Sequence, residues 1–324
     1  MDKVDNDQKK ENWKRFLPII DKYRVLIIFF VLILFASFLS DSFFTTSNLL
    51  NVFRQVSIVA IISLGMTLVI LTGGIDLSVG SVMAFAGAVV AGVMTSGVSL
   101  PVALMVAILV GIALGMFNGF IVTKGSVPAF IATLAVMVIA RGMTLVFTHG
   151  NPIVVNGEGF RYIGGGELLG LPFPVILMIV LYIIMHLVLK HTTFGRYIYA
   201  IGGNEEAARL AGISVDRVKI AVYALAGFFA SISALIYTSR LMSAQPNAGV
   251  GIELDAIAAV IIGGTRLSGG KGAVTGTLIG ALIMGVLDNI LNLMNVSPFY
   301  QDIAKGVVIL LAVLVDSKLA KIKK

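Results

Sequence analysis

The chain has 324 residues, of which 58% are apolar and 13% charged, with 24 Lys and Arg against 17 Asp and Glu for a net charge of +7. A soluble globule of this size cannot bury so much apolar side chain, and its charged share would be about a quarter. The composition excludes an ordinary cytosolic enzyme, a disordered chain and a nucleic-acid-binding domain; with a mean hydropathy of +0.99, the basic pI of 9.6 belongs to a membrane protein.

The first 24 residues are polar and carry five acids (Asp2, Asp5, Asp7, Glu11, Asp21) among seven bases. They read as a cytoplasmic N-terminal arm, longer and more acidic than a secretory leader. The run VLIIFFVLILFASFL at 25–39 follows as an uncleaved first span. Further apolar stretches at 56–72, 77–96, 101–122, 127–147, 172–189, 218–238, 254–263, 273–293 and 301–316 bring the candidates to ten. The eighth, LDAIAAVIIG, is too short for a straight span: it starts further upstream or is a broken helix. The expected fold is an all-α polytopic membrane protein of about ten transmembrane helices. Its membrane domain covers 25–317, with a cytoplasmic tail at 318–324.

Basic residues orient the spans. With both termini cytoplasmic and ten crossings, 19 of the 24 Lys and Arg fall inside: seven in the arm, Lys124, five between the sixth and seventh spans, Arg266, Lys271 and four at the C-terminus. The loop 148–171, with seven glycines, then faces outward, and the charged loop 190–217 faces inward.

GGIDLSVG at 73–80 matches GGTRLSGG at 263–270 at five of eight positions. Both would be cytoplasmic turns entered in the same direction, so the match predicts a parallel internal repeat. It pairs Asp76 with Arg266. Either these are interfacial turn residues, with Asp76 or Ser78 capping the next helix, or they form a charge pair at an inner gate. Glycines at spacing four, Gly111, Gly115 and Gly119, then Gly272, Gly276 and Gly280, predict two smooth grooves for close helix packing.

GGNEEAARLAGISVDRVK at 202–219 carries helix punctuation. Asn204 is a good N-cap, Glu205 and Glu206 suit the positive helix start, and Gly212 suits the end. Ser214 can cap the helix leading into the seventh span. A short charged helix therefore lies on the cytoplasmic face; by itself, it reads as a solvated connector.

Glu206-Ala207-Ala208 followed by Gly212 resembles the EAA-xxx-G signature of bacterial ABC importer permeases. Together with FGRYIYAIGGNEEAARLAGI, LTGGIDLSVGS and IIGGTRLSGGKG, it makes the chain from about residue 25 similar to the ribose-type sugar permeases. The resemblance implies the transmembrane subunit of an ATP-driven importer in the inner membrane, translocating ribose or a related monosaccharide. It implies three kinds of partner: an ABC ATPase subunit, an extracytoplasmic sugar-binding protein and a second permease copy. It also implies that Asn204, Glu205, Glu206, Ala207, Ala208 and Gly212 form the loop that docks on the ATPase. The permease itself performs no bond chemistry and needs no cofactor.

Leu267-Ser268-Gly269-Gly270-Lys271 looks like the LSGGQ signature of the ATPase itself. The only nearby phosphate-loop window, 265–272, has Thr265 where a glycine is required and Gly272 after the lysine, so it fails. His149, His186 and His191 have no metal-site spacing, and no catalytic residue or metal site is expected. Polar groups within spans usually face protein or a water-filled path. Asp288, Asn292 and Asn295 share one helix face beside Asn289, and Asn118 lies near the inner end of the fourth span. These residues either bond helices together or line a sugar path. Arg141 is expected to snorkel outward. The alternative function is an ion-coupled secondary transporter of a small polar solute, working without an ATPase through buried titrating carboxylates.

Overall fold

Each apolar stretch forms a helix in the computed structural model, which describes residues 25–322. The expected arm at 1–24 and the last two residues of the tail lie outside the described residues. The apolar helices are α1 (Val25–Leu39), α2 (Thr46–Leu71), α3 (Val79–Thr95), α4 (Leu100–Thr123), α5 (Ala129–Thr148), α7 (Phe173–His191), α10 (Val215–Leu241), α11 (Ile252–Ile262), α12 (Val274–Leu293) and α13 (Pro298–Ile322). Six of them, α2, α4, α5, α7, α10 and α12, are long and apolar enough to cross a membrane. The short helices α6 (Glu158–Gly165), α8 (Thr193–Gly203) and α9 (Glu205–Leu210) lie in the two long loops.

The core is built around α2 and α10. In α2, 83% of the apolar stretch is buried, against 22% in α4, so α2 is a central axis and α4 an outer wall of the chain. Hydroxyls inside α2 are satisfied locally: Ser63 donates to the Val59 carbonyl and Thr67 to the Ser63 carbonyl, and Thr67 also meets Thr277 of α12 at 2.8 Å. The glycine grooves form as expected. A methyl group on Gly115 would come within 3.0 Å of the Tyr223 carbonyl carbon, and one on Gly276 would strike the Gly263 backbone. The first groove holds α10 and the second holds α11.

The packing corrects the expected repeat. Ser233 of α10 donates to the Ile58 carbonyl of α2 at 3.1 Å, while Gly65 lies against Ala226. Residue numbers rise on one helix as they fall on the other, so α2 and α10 are antiparallel. The main packing pairs map onto one another when α2 is exchanged with α10, α3 with α11, α4 with α12 and α5 with α13, although α4 packs on α5 more closely than α12 does on α13. Exchanging antiparallel axes makes the halves inverted, not parallel. The two GG turns look alike because they are the same helix stop. Gly73 and Gly74 donate to the Ile70 and Val69 carbonyls; Gly264 and Thr265 donate to those of Ile261 and Val260. Aligned on these caps, Gly73 corresponds to Gly264, which removes the match between Asp76 and Arg266.

The eighth stretch is a broken helix: α11 has 11 residues and follows the irregular segment 245–251. The glycine-rich loop 148–171 is folded onto this end of the molecule. Strands β1 (Ile153–Val154) and β4 (Ser243–Ala244) pair antiparallel, and β2 (Glu167–Leu168) turns back on β3 (Leu171–Pro172). Ser239 clamps α6 by donating to the Phe160 carbonyl and accepting from Gly164 N–H.

Candidate functional site

The short charged helix forms as its punctuation predicts. Asn204 Oδ1 accepts from the Ala207 N–H at 2.9 Å, and α9 closes through Gly212, which has φ +82° and donates to the Arg209 carbonyl. Ser214 occupies the next N-cap position without a side-chain cap bond. Glu205 bridges to Lys219 and Arg209, Arg209 to Asp216, and Asp216 to Lys124 at 2.7 Å, so α9 is tied both to α10 and to the turn after α4. Ala208 is buried, whereas Glu206, Ala207 and Leu210 face outward, Leu210 with 86% of its surface exposed. An acid and a leucine four residues apart thus stand exposed on the same face of a pinned helix. Glu206 and Ala207 were legible in the sequence; Leu210 was not, because nothing in the motif marks it.

At the end of α8 the backbone of Gly202 is wedged between both GG turns. Any side chain there would strike the Leu71 carbonyl and the Gly270 nitrogen, and the Gly270 N–H donates to that same Leu71 carbonyl at 3.0 Å. The loop carrying α9 thus meets the end of α2 and the turn between α11 and α12 at the Gly202 backbone, beside the Tyr199 hydroxyl, which donates to the Gly272 carbonyl at 2.9 Å. Above this junction lies a cavity of about 390 Å³ bounded by Gly73, Gly74, Arg209, Lys219 and Tyr223.

Asp76 and Arg266 do not pair. Asp76 is buried and turns back on Ser78, accepting from its N–H at 2.9 Å and its hydroxyl at 2.7 Å. Burial pushes its carboxyl up to about 6, opposed by these two bonds. Arg266 is half-buried, and its N–H closes the turn onto the Lys271 carbonyl. The partner of the Asp76 turn is Asn118, fully buried, whose amide donates to Ser78 Oγ at 2.7 Å. Its other amide atom, Oδ1, and the nearby Tyr223 hydroxyl have no hydrogen-bond partner among the described residues.

The asparagine stripe meets partners on other helices. Asn289 and Asn48 of α2 exchange two amide bonds at 3.0 and 2.7 Å, and Asn292 accepts from Gln301 of α13 at 3.0 Å. Asn295 is the left-handed residue, φ +55°, in the turn after α12. Asp288 forms an ion pair with Lys305 of α13 at 3.2 Å, and Lys305 also reaches Asp255 of α11 at 3.2 Å. This half-buried triad was missed because its members are far apart in sequence. Arg141 does not snorkel outward: one guanidinium nitrogen donates to the carbonyls of Pro246 and Ala248, each at 2.8 Å. Lys271 is exposed in its turn. Among the described residues no three His, Cys, Asp or Glu converge on a metal site.

Six helices long and apolar enough to span a bilayer fit a multi-pass inner-membrane transport component. Residues 48–313 match the model of the branched-chain amino acid transport system / permease component family. The chain is 51% identical to the ribose import permease protein of Bacillus subtilis (98% of this chain, 99% of that protein). It is 54% identical to the ribose import permease protein of Escherichia coli K12 (90% and 92%). It is 40% identical to the L-arabinose transport system permease protein of the same strain (95% and 94%). No solved structure matches the chain. The chain belongs to this family of permeases.

Proposed function

We propose that the chain is the membrane subunit of an ATP-driven importer that translocates ribose or a closely related monosaccharide. Its likeness to ribose and L-arabinose permeases across nearly its whole length supports the substrate class. In this reading all ten apolar helices cross, both termini are cytoplasmic, and 25–317 is one permease domain carrying the coupling loop 190–217. Two copies enclose the path. An ABC ATPase docks on α9, and a sugar-binding protein delivers solute to the end that carries α6 and the two β pairs. Asp76, Ser78 and Asn118 serve at the inner end, where Asp76 acts through the Ser78–Asn118 chain and not through Arg266. Asp288, Asn289, Asn292 and Asn295 hold the outer ends of α2, α12 and α13 in register around the path.

The observation that carries the coupling role is α9 itself: pinned by ion pairs on one side, exposing Glu206 and Leu210 on the other, and continuous with the Gly202 junction. ATPase closure on α9 therefore moves the end of α2 and the turn between α11 and α12. The test is Glu206→Lys in the complete transporter. The protein should insert normally, retain less ATPase on purification and lose uptake of binding-protein-delivered ribose. Normal uptake by this variant and by Gly212→Pro refutes the coupling role, and ribose uptake without any ATPase refutes the importer reading in favour of ion coupling.

A further inference from the structure

The inverted halves each contain a short helix preceded by a non-helical segment, α3 and α11, and the N-termini of these two helices meet. Gly80, at the start of α3, lies against the Gly249 backbone, and a methyl group there would come within 2.6 Å of Glu253 Oε2. The meeting point is deep. Arg141, which holds the 246–248 carbonyls beside it, is the thirteenth residue of α5, about 18 Å from the start of that helix at 1.5 Å per residue. Counted from its own end, α11 places Glu253 at a similar height, about half of a hydrocarbon core ~30 Å thick.

A cavity of about 420 Å³ opens here between α3, α5 and the start of α11, lined by Ser81, Met137, Arg141, Val250 and Glu253. That volume lies within the usual range for small-ligand sites. Its polar groups are incompletely used. Ser81 is 2% exposed and its hydroxyl has no hydrogen bond among the described residues. Both hydrogens of one Arg141 nitrogen go to the Pro246 and Ala248 carbonyls, which leaves three guanidinium N–H groups without a partner among the described residues. Glu253 is in the first turn of α11 with Oε2 beside Gly80, where its carboxylate offsets the positive end of that helix. Val250, 72% exposed, and Met137 supply apolar surface.

Polar side chains at mid-membrane depth are expensive and mark solute paths, and broken helices meeting at the midplane are where such paths hold their cargo. One cation, one anion and one hydroxyl suit an uncharged molecule rich in paired hydroxyls. We propose that this cavity is the mid-membrane station of the solute: a neutral polyol of monosaccharide size, its adjacent hydroxyls bridging Arg141, Glu253 and Ser81 and its C–H face resting on Met137 and Val250. The proposal rests on the sugar-import reading above and places the contact site on α3, α5 and α11 rather than on the asparagine stripe of α12.

The experiment is ribose uptake by the complete transporter in proteoliposomes, with ribose-loaded binding protein at fixed concentration. Glu253→Gln and Ser81→Ala each remove one bonding partner with almost no change of shape, and each should slow uptake about tenfold, the worth of a hydrogen bond of ~1.4 kcal/mol, with the melting temperature in detergent unchanged. Because the chain has no cysteine, Val250→Cys gives an independent readout: a small methanethiosulfonate should label it at least about threefold more slowly during ribose turnover than with ATP and unloaded binding protein. If wild-type protein imports ribose, Glu253→Gln and Ser81→Ala do so at the normal rate and Val250→Cys is unprotected, the site is wrong. A defect confined to Arg141→Gln also overturns it, since Arg141 then only pins the 246–248 segment. If the wild-type transporter imports neither ribose nor L-arabinose, the sugar reading itself fails and takes this proposal with it.

Discussion

Replacing Lys305 with methionine tests how α11, α12 and α13 are held together. Lys305 lies 3.2 Å from Asp255 and 3.2 Å from Asp288, and all three side chains are at most a quarter exposed. At an effective dielectric of about 20, a contact at that distance is worth ~5 kcal/mol of Coulomb attraction. Most of this is spent on desolvating the charges, so the intact triad contributes little net stability. Removing the cation is different, because it leaves two carboxylates facing each other with no counter-charge, and Asp288 Oδ1 already has no partner among the described residues. Lys305→Met should therefore cost about 3–5 kcal/mol. At about 2–4 °C per kcal/mol this lowers the detergent melting temperature by roughly 10 °C. Adding Asp255→Asn and Asp288→Asn removes the stranded charges and should recover most of the loss. Thermal stability followed by size-exclusion chromatography after heating measures both. If Lys305→Met melts within about 1 °C of wild type, or the triple variant melts no higher than the single one, the triad is solvated and the reasoning fails.

Gly115→Ala forces α4 away from the α10 backbone and should cost about 1–3 kcal/mol, whereas Gly306→Ala, with open space around it, should be neutral or stabilise by up to ~1 kcal/mol; equal melting temperatures for the two would contradict the groove. In the cysteine-free chain, single cysteines at 206 and 320 should react only with a reagent that has entered the cell, and one at 158 with an impermeant reagent added outside; labelling at 206 from outside reverses the topology. Purified chain alone should neither bind nor hydrolyse ATP, and hydrolysis that survives stringent washing but disappears in Lys271→Ala would give the LSGGK turn a role denied to it here.

Apolar runs revealed the helices because lipid-facing and core-facing side chains are both apolar, but the same fact hid their boundaries. The second stretch was read from residue 56, yet α2 begins at Thr46: Asn48, Asn51 and Arg54 look like loop in sequence and belong to a helix whose polar groups find partners in Asn289 and Glu167. The caps of α9 were legible because they depend on residues three or four apart. The inverted halves were not, since helices that correspond in order and packing need share few identical residues, and the one visible identity, GG with LS, belonged to a shared helix stop. Asp288 and Asn292 lie on α12, but Asn295, expected on the same helix face, falls in the turn beyond its end. Which neighbour that face meets is a tertiary fact, and the structure gives Asn289 and Asn292 partners 241 and nine residues away.

The junction at Gly202 has a mechanical meaning. Joints between helices are usually cushioned by side chains that can change rotamer and take up a few tenths of an ångström without passing it on. At the Gly202 contact itself no side chain intervenes. The Leu71 carbonyl, Gly202 and the Gly270 N–H meet as bare main chain, whose only soft coordinates are φ and ψ. In the proposed coupling, a push on α9 has little slack to cross before α2 and the α11–α12 turn must follow, so the stroke of the importer is fixed by the travel of its ATPase and not by compliance at this joint. Lengthening the link between α8 and α9 by one residue would then act like play in a linkage, lowering the solute moved per ATP while leaving ATP consumption in place.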